Sequence, residues 1–112
     1  MARKKDEELA QLRKGVLEIA VLALLRVRPH YGGELVEALA ERPALATGAG
    51  TIYPLLTRLR RAGWVDTTWE ESPVGPPRKY YTLTPAGRAE LTRLSAAWRQ
   101  LADSLTALLE ES

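Results

Sequence analysis

An amphipathic helix is predicted for residues 48–62, Gly48-Ala49-Gly50-Thr51-Ile52-Tyr53-Pro54-Leu55-Leu56-Thr57-Arg58-Leu59-Arg60-Arg61-Ala62. Its apolar side consists of Ile52, Leu55, Leu56 and Leu59, at the spacing that places side chains on one helical face. Its opposite side is cationic, lacks acids and consists of Gly50, Tyr53, Pro54, Thr57, Arg58 and Arg61. Thr47 is the predicted N-cap, and Gly63 is the predicted residue just beyond the end. Because Pro54 lacks a backbone N–H, we expect that it either kinks the helix or lies in the first helical turn.

Two helices are predicted before this one. The first begins near Glu7 or Leu12 and ends before Pro29, because apolar residues recur at helical spacing: Leu9, Leu12, Val16, Ile19 and Ala23. The second runs from about Tyr31 to Glu41, with Leu35, Val36 and Leu39 on its apolar face. Gly32 and Gly33 in its first turn permit close approach of either another helix or a ligand.

A β-hairpin and a long helix are predicted after it. Residues 64–70 and 78–83 are rich in strand-forming residues, and the loop Ser72–Pro77 joins them. Trp64 and Trp69 are expected in the core of this hairpin. The last helix has Thr84 as N-cap and Pro85 at its first position, and it runs to about Glu110. Its apolar residues form a heptad seam: Leu91, Leu94, Trp98, Leu101, Leu105 and Leu108.

The order of these elements predicts the fold class. Three helices followed by a two-stranded hairpin are typical of a winged helix-turn-helix, so we expect a mainly α chain with a small β-hairpin. We expect residues 1–11 to form a charged arm and the start of the first helix, residues 12–84 the winged domain, and residues 85–112 a dimerisation helix. The seam of that helix predicts a homodimer with help from the first helix, although packing on the first helix within one chain is the alternative.

The composition excludes several classes of protein. The chain has 112 residues, 16 Lys and Arg, 14 Asp and Glu, and no Cys, which excludes disulfides, thiolate zinc sites and a cysteine nucleophile. A single His and scattered acids favour neither an enzyme nor a metal site, and no cofactor is expected. Without an apolar run of ~20 residues or a signal-peptide pattern, we expect a cytoplasmic protein without a membrane partner.

Cations occupy two stretches of the sequence that contain no acid. No carboxylate lies between Glu41 and Asp66 or between Glu71 and Glu90. In a winged helix-turn-helix the third helix, here residues 48–62, is the recognition helix, and the hairpin loop is the wing. The two acid-free stretches coincide with these two elements, which favours double-stranded DNA as a partner. Taken alone, this distribution of charge is explained equally well by cationic faces that are exposed to solvent and bind no partner. The alternative function is a winged-helix module that binds protein without sequence-specific DNA binding, and an acid-free recognition face favours DNA over it.

The sequence resembles the PadR family of bacterial transcriptional regulators, in its short form with one C-terminal helix. The resemblance extends from Leu12 onward and rests on Leu12-Arg13-Lys14-Gly15-Val16-Leu17-Glu18, Tyr31-Gly32-Gly33-Glu34-Leu35, Gly50-Thr51-Ile52-Tyr53-Pro54-Leu55-Leu56, Arg58-Leu59, Gly75-Pro76-Pro77-Arg78-Lys79-Tyr80-Tyr81 and Leu83-Thr84-Pro85-Ala86-Gly87. The sequence departs from the family at Gly33, where Tyr is frequent, and at Ala49, where an acid is common.

This resemblance implies a dimeric regulator, usually a repressor, that binds a palindromic operator. It also implies that the last helix makes the dimer. In some members a pore at the dimer centre binds flat aromatic compounds against a tryptophan, and Trp98 holds the matching position. The resemblance therefore implies a small aromatic effector at Trp98, with Ala97 and Leu101 beside it, although packing of Trp98 in the dimer interface is the alternative.

Residues of the recognition helix, the wing and the start of the second helix are the candidates for DNA contact. Arg58 can pair with guanine, and Thr51 and Tyr53 can contact phosphate or a thymine methyl. Thr47, Gly48 and Gly50 can present backbone N–H groups to a phosphate, although Gly50 can instead be small because Pro54 crowds its carbonyl. The other candidates are Tyr31, Gly32, Pro54, Thr57, Arg61, Arg78 and Lys79. Solvated charge is the alternative for Arg58 and Arg61, and packing against the wing is the alternative for Tyr53.

Overall fold

The computed structural model describes Glu8 and residues 12–111. Within these residues the chain is mainly helical, with four α-helices and a small antiparallel sheet. The elements in chain order are α1 (Val16–Val27), β1 (His30–Tyr31), α2 (Gly32–Ala40), a 3₁₀ turn (Pro43–Leu45), α3 (Ala49–Arg61), β2 (Val65–Glu70), β3 (Arg78–Leu83) and α4 (Pro85–Glu111). The predicted winged helix-turn-helix with a long last helix is confirmed.

The start of α1 differs from the prediction. Leu12 and Arg13 are helical, as predicted, but a turn at Lys14 and Gly15 separates them from α1, which begins at Val16 with Gly15 as its N-cap. Glycine is a poor helix former, so an interruption at this position is physically reasonable. The predicted start at Glu7 lies outside the described residues. The helix ends at Val27, before Pro29 as predicted.

Helix α3 has the predicted amphipathic character but a different N-cap. Gly48, not Thr47, is the N-cap, because the Gly48 carbonyl accepts the first helical bonds from the N–H groups of Thr51 and Ile52 at 3.1 and 3.2 Å. Pro54 lies in the helix interior and not in its first turn. At the other end Gly63 has a φ of +82°, and its N–H donates to the carbonyl of Arg60 at 2.9 Å, as expected for a glycine that ends a helix.

The sheet contains a strand that the sequence did not reveal. Strands β2 and β3 form the predicted hairpin, with Val65 opposite Leu83 and Glu70 opposite Arg78. Strand β1 pairs antiparallel with the other edge of β3, with Tyr31 opposite Tyr80, so β3 is the central strand. This pairing ties the wing to the start of α2.

The core lies where the first three helices meet the sheet and the first turns of α4. Its buried members are Leu17, Val21, Leu22, Leu25, Leu35, Leu39, Ile52, Leu55, Leu56, Leu59, Val65, Tyr81 and Leu91. The four leucine and isoleucine residues of α3 predicted to be apolar-facing are all among them. Burial of this side fixes which side chains of α3 face outward.

Helix α4 begins as predicted and then extends beyond the core. The Thr84 hydroxyl accepts a hydrogen bond from the N–H of Gly87 at 3.0 Å and donates one to the carbonyl of Gly63 at 2.7 Å. A side chain at Gly87 would collide with the carbonyl of Trp64, so the first turn packs directly on the chain entering β2. The helix has 27 residues, and only Gly87 and Leu91 are buried among its described residues. At ~1.5 Å per residue it is about 40 Å long, far longer than its contact with the core.

Candidate nucleic-acid interface

The exposed side of α3 is cationic. Arg58, Arg60 and Arg61 are all exposed, and α3 contains no acid. None of the three forms an ion pair with any residue that the structure describes. Their guanidinium groups are therefore available to an anionic partner. Exposed with them on α3 are the predicted contact residues Gly50, Thr51, Tyr53, Pro54 and Thr57, and Gly48 is exposed at its N-cap.

Tyr53 packs on the start of α2. A Cβ atom at Gly32 would lie 2.5 Å from Cε1, Cζ and Oη of Tyr53, so the absence of a side chain at Gly32 makes room for this ring. Gly32 is buried, which favours the packing explanation for this glycine over direct contact with a ligand. Tyr53 keeps 46% of its surface exposed, so one part of the ring is held by α2 while the rest faces solvent.

Two cations of the wing lie against aromatic rings. The Cζ atom of Arg78 is 4.5 Å from the centroid of the Tyr31 ring. The Nζ atom of Lys79 is 5.9 Å from the centroids of both Trp69 and Tyr81. These distances lie within the ~6 Å over which a ring attracts a cation.

These residues meet in one open cleft of about 420 Å³ between α2, α3 and the wing. Four aromatic residues, two cations, a glycine and a threonine line it: Tyr31, Gly32, Tyr53, Thr57, Trp69, Arg78, Lys79 and Tyr81. Burial raises the pKa of the Tyr81 phenol above its usual value, the neighbouring Tyr53 adds to the rise, and Arg60 opposes it. The phenol of Tyr81 therefore stays neutral, and the cleft has a net positive charge.

A second cleft continues the cationic surface along the same side of α3. Its lining includes Arg60, Arg61 and Lys79, so charges from the helix and the wing share one surface. Arg58 and Thr51 lie elsewhere, in a cleft beside Lys14 at the start of α1. The predicted contact residues are thus divided between a wing side and an α1 side of the recognition helix.

Three residues of this surface were not predicted as contacts. Trp69 was expected in the core of the hairpin, and this is wrong: it is 67% exposed and lines the first cleft. That Trp69 is exposed beside Lys79 can be predicted only once the hairpin register is known. Arg60 and Lys14 were missed because helical spacing alone did not place them beside Lys79 and Arg58, respectively. Trp64 packs against the core as expected.

The predicted dimerisation residues fall into two groups. Leu91 and Leu94 were predicted to lie in the dimerisation seam, but Leu91 is buried in the core of its own chain and Leu94 packs against that core. Trp98, Leu101, Leu105 and Leu108 are 47%, 69%, 55% and 63% exposed, and Ala97 is exposed beside them. Leu12 is 76% exposed and Val16 is half-buried, whereas Leu9 lies outside the described residues.

Other kinds of site find no support in the residues that the structure describes. They contain no group of three or more His, Cys, Asp or Glu residues arranged to hold a metal ion. No helix in the described ranges has both the length and the apolar character needed to cross a membrane.

Comparison with known proteins gives consistent matches. The model of the transcriptional regulator PadR-like family matches residues 21–93. The chain is similar to the crystal structure of a PadR family transcriptional regulator from Eggerthella lenta, with 35% identity, a TM-score of 0.87 and coverage of 99% of this chain and 96% of that one.

Two further crystal structures are similar over most of the chain. A PadR-like transcriptional regulator from Bacillus cereus is 33% identical with a TM-score of 0.79, and the match covers 88% of this chain and 96% of that one. A Streptococcus transcriptional regulator is 38% identical with a TM-score of 0.77 and the same two coverages, 88% and 96%.

Proposed function

The chain belongs to the PadR-like family of transcriptional regulators, and from that premise we propose that it is a repressor that binds a palindromic operator as a homodimer. One observation carries the proposal. The recognition helix and the wing carry five exposed or half-exposed cations, and none has an ion-pair partner among the described residues: Arg58, Arg60, Arg61, Arg78 and Lys79. Repression requires only that the operator be occupied, and this surface is suited to that task.

We assign the recognition helix to the major groove and the wing to the adjacent backbone. Arg58 is the candidate for bidentate pairing with guanine, whereas Arg78 and Lys79 bind phosphate or reach the minor groove. The hydroxyl of Thr57 donates a hydrogen bond to the carbonyl of Tyr53 at 3.1 Å. Thr57 can therefore offer a base only its methyl group and its hydroxyl oxygen as an acceptor. The N-terminus of α3, with Thr47, Gly48 and Gly50, faces a phosphate in this assignment.

Titration of a fluorescent duplex at several salt concentrations tests the electrostatic part of the proposal. A protein that neutralises about 6–10 phosphates loses about 10³–10⁵ in affinity between 50 and 200 mM salt. Salt-independent binding, or no binding at low salt, would favour the protein-binding alternative.

Substitutions separate base recognition from phosphate contact. Lys79→Ala is expected to weaken binding to all duplexes alike, and Arg58→Ala is expected to cost about 1–3 kcal/mol and to relax one base position. Arg99→Ala is the matched control, because Arg99 is exposed on α4 away from this surface. Equal losses on specific and random duplexes for Arg58→Ala would contradict base recognition by Arg58.

The exposed apolar residues of α4 support the homodimer. Leu101 follows Trp98 by three residues and Leu105 follows Leu101 by four, so the three lie along one side of the helix beyond the core. A second copy of the chain would bury this side and join two recognition helices about a two-fold axis. A palindromic operator follows from that symmetry.

We also propose Trp98 as the site of a planar aromatic effector, with Ala97 and Leu101 beside it. Two half-exposed indole rings about a dimer axis would offer faces for stacking, worth ~0.5–1.5 kcal/mol for each ring pair beyond burial. Titration of planar dyes with tryptophan fluorescence as the signal tests this, with Trp98→Leu as the control because Trp64 and Trp69 also emit. If no dye in a broad panel quenches in a way that depends on Trp98 in a protein that still dimerises, Trp98 serves packing alone.

A further inference from the structure

We propose that the ring of Tyr31 is a positioning element of the wing, which holds the Arg78 guanidinium by a cation–π contact in the orientation that binds DNA phosphate. The proposal rests on the DNA-binding function proposed above. It assigns Tyr31 a role through Arg78, in place of the direct phosphate contact that the sequence suggested. Tyr31 belongs to the start of α2 and Arg78 to the wing, so the contact joins the two DNA-facing elements.

Arg78 has two neighbours that could attract its guanidinium group, an acid and an aromatic ring. Glu70 lies directly opposite Arg78 in the hairpin register, where an ion pair between the two is sterically natural. Among the described residues no ion pair forms between them, and the guanidinium carbon instead lies 4.5 Å from the Tyr31 ring centroid. The wing cation is therefore held by an aromatic face and not by an acid.

The physical consequence concerns the hydrogen-bond donors of Arg78. A guanidinium is planar, and its N–H groups point outward in that plane. A carboxylate would occupy these donors and cancel the charge, in direct competition with a phosphate. The face of an aromatic ring attracts the same cation yet presents no acceptor oxygen to those donors, so they stay available.

Tyr31 is itself held firmly. Its backbone pairs with Tyr80 of β3, and the two rings meet edge to face with centroids 5.5 Å apart and an interplanar angle of 78°. Its backbone N–H donates to a carboxylate oxygen of Glu34 at 3.1 Å. A Cβ atom at Gly33 would lie 3.0 Å from Cε2 of Tyr31, so the glycine at this position leaves space for the ring. A ring fixed in these ways restricts the Arg78 side chain before DNA arrives.

Lys79 provides an internal comparison. Its Nζ atom lies 5.9 Å from two ring centroids, at the outer limit of the same attraction. An ammonium group has no flat face to stack, so the proposal concerns Arg78 alone. Tyr31 and Lys79 are therefore expected to act independently.

The first test compares Tyr31→Phe with Tyr31→Leu in binding to a mixed-sequence duplex at low salt. Phe retains the aromatic face, so its affinity should stay close to that of the unchanged protein. Leu removes the face and should lower the affinity about 2- to 5-fold for each wing that binds. In an Arg78→Ala background Tyr31→Leu should cause no further loss, whereas in a Lys79→Ala background its full effect should persist.

Two outcomes of this experiment would overturn the proposal. If Tyr31→Phe binds as weakly as Tyr31→Leu, the hydroxyl contacts the phosphate directly. If Tyr31→Leu weakens binding equally with and without Arg78, its role is structural. Failure of the unchanged protein to bind any duplex would instead remove the proposed function, which is a distinguishable result.

A measurement on the unchanged protein keeps the proposal testable even if Tyr31→Leu does not fold. In the free protein the Nε–H group of Arg78 should have an NMR order parameter well above the ~0.6 that marks a flexible group. Arg99, exposed on α4, is the matched control and should lie below that value. An Arg78 side chain as mobile as Arg99 would contradict positioning by Tyr31.

Discussion

Gly32 shows how one residue without a side chain shapes the DNA-facing surface. Its missing Cβ leaves the space in which the Tyr53 ring lies, 2.5 Å from where that atom would be. We predict that Gly32→Ala destabilises the fold by about 1–3 kcal/mol, because an added methyl group in a packed site displaces its neighbours. DNA affinity should fall with it, because Tyr53 belongs to the recognition face.

Gly15→Ala is the control for this prediction. A Cβ atom there meets nothing within 4 Å, and the backbone φ of −79° suits any residue. Alanine should therefore leave the melting temperature unchanged or raise it. Thermal unfolding followed by circular dichroism measures both variants, and equal melting temperatures for the two would contradict the packing role of Gly32.

Tyr81 predicts how stability changes at alkaline pH. Burial raises the pKa of this phenol above its usual value near 10, with Tyr53 adding to the rise and Arg60 opposing it. The folded chain therefore keeps this proton at a pH where the unfolded chain loses it. The free energy of unfolding should be unaffected below about pH 10 and should fall as the pH rises through and above that value.

Tyr81→Phe is the variant that checks this pH dependence. Without an ionisable group at position 81, the decline in the free energy of unfolding above pH 10 should be shallower than in the unchanged protein. Urea unfolding at a series of pH values measures the difference between the two. Parallel declines would show that other groups cause the alkaline loss of stability.

Among the elements, the junction between α3, β2 and α4 depends on Thr84. One hydroxyl caps α4 through the N–H of Gly87 and also donates to the carbonyl of Gly63 at the end of α3. We predict that Thr84→Ala costs about 0.5–2 kcal/mol of stability. Thr84→Ser keeps the hydroxyl, so its free energy of unfolding, measured with urea, should fall far less. Similar losses for the two variants would show that the hydroxyl bonds contribute little.

The sequence predicted those elements whose signals are local. The apolar spacing of α3, the glycine after its end, and the Thr84-Pro85 start of α4 depend on neighbouring residues only, and the structure has each of them. The acid-free stretches predicted which two elements carry the cationic surface for the same reason.

The elements that the sequence did not predict depend on contacts distant in the chain. A strand of two residues, His30–Tyr31, is too short for alternation to be visible, and it exists because it pairs with β3. Trp69 looked like a core residue because its side of the hairpin could not be known before the register. Thr47 looked like an N-cap because Thr is favoured there, but Gly48 takes that position.

At the scale of the whole molecule, we propose that the second half of α4 joins two copies of the chain. We propose that residues 12–84 contact DNA and that residues 85–112 join two copies, although the first turns of α4 belong to the core of the winged domain. Leu101→Glu with Leu105→Glu should yield monomers or unfolded chain in sedimentation, because charge is placed in an apolar contact.

A matched pair of substitutions controls for added charge. Gln100→Glu with Thr106→Glu introduces the same two charges at exposed positions of α4 that lie away from the seam. This variant should remain dimeric. A folded dimer in the Leu101 and Leu105 variant would show that another surface joins the copies.

Selection of bound sequences from a random duplex pool tests the central claim most directly, because it reports binding, specificity and symmetry together. A two-fold protein that reads DNA with α3 should enrich an inverted repeat with half-site centres about one helical turn apart, ~34 Å, or a multiple of that distance. Arg58→Ala should relax one position in each half-site. Recovery of no enriched sequence, or of a site without two-fold symmetry, would contradict a homodimeric regulator that recognises its operator through α3.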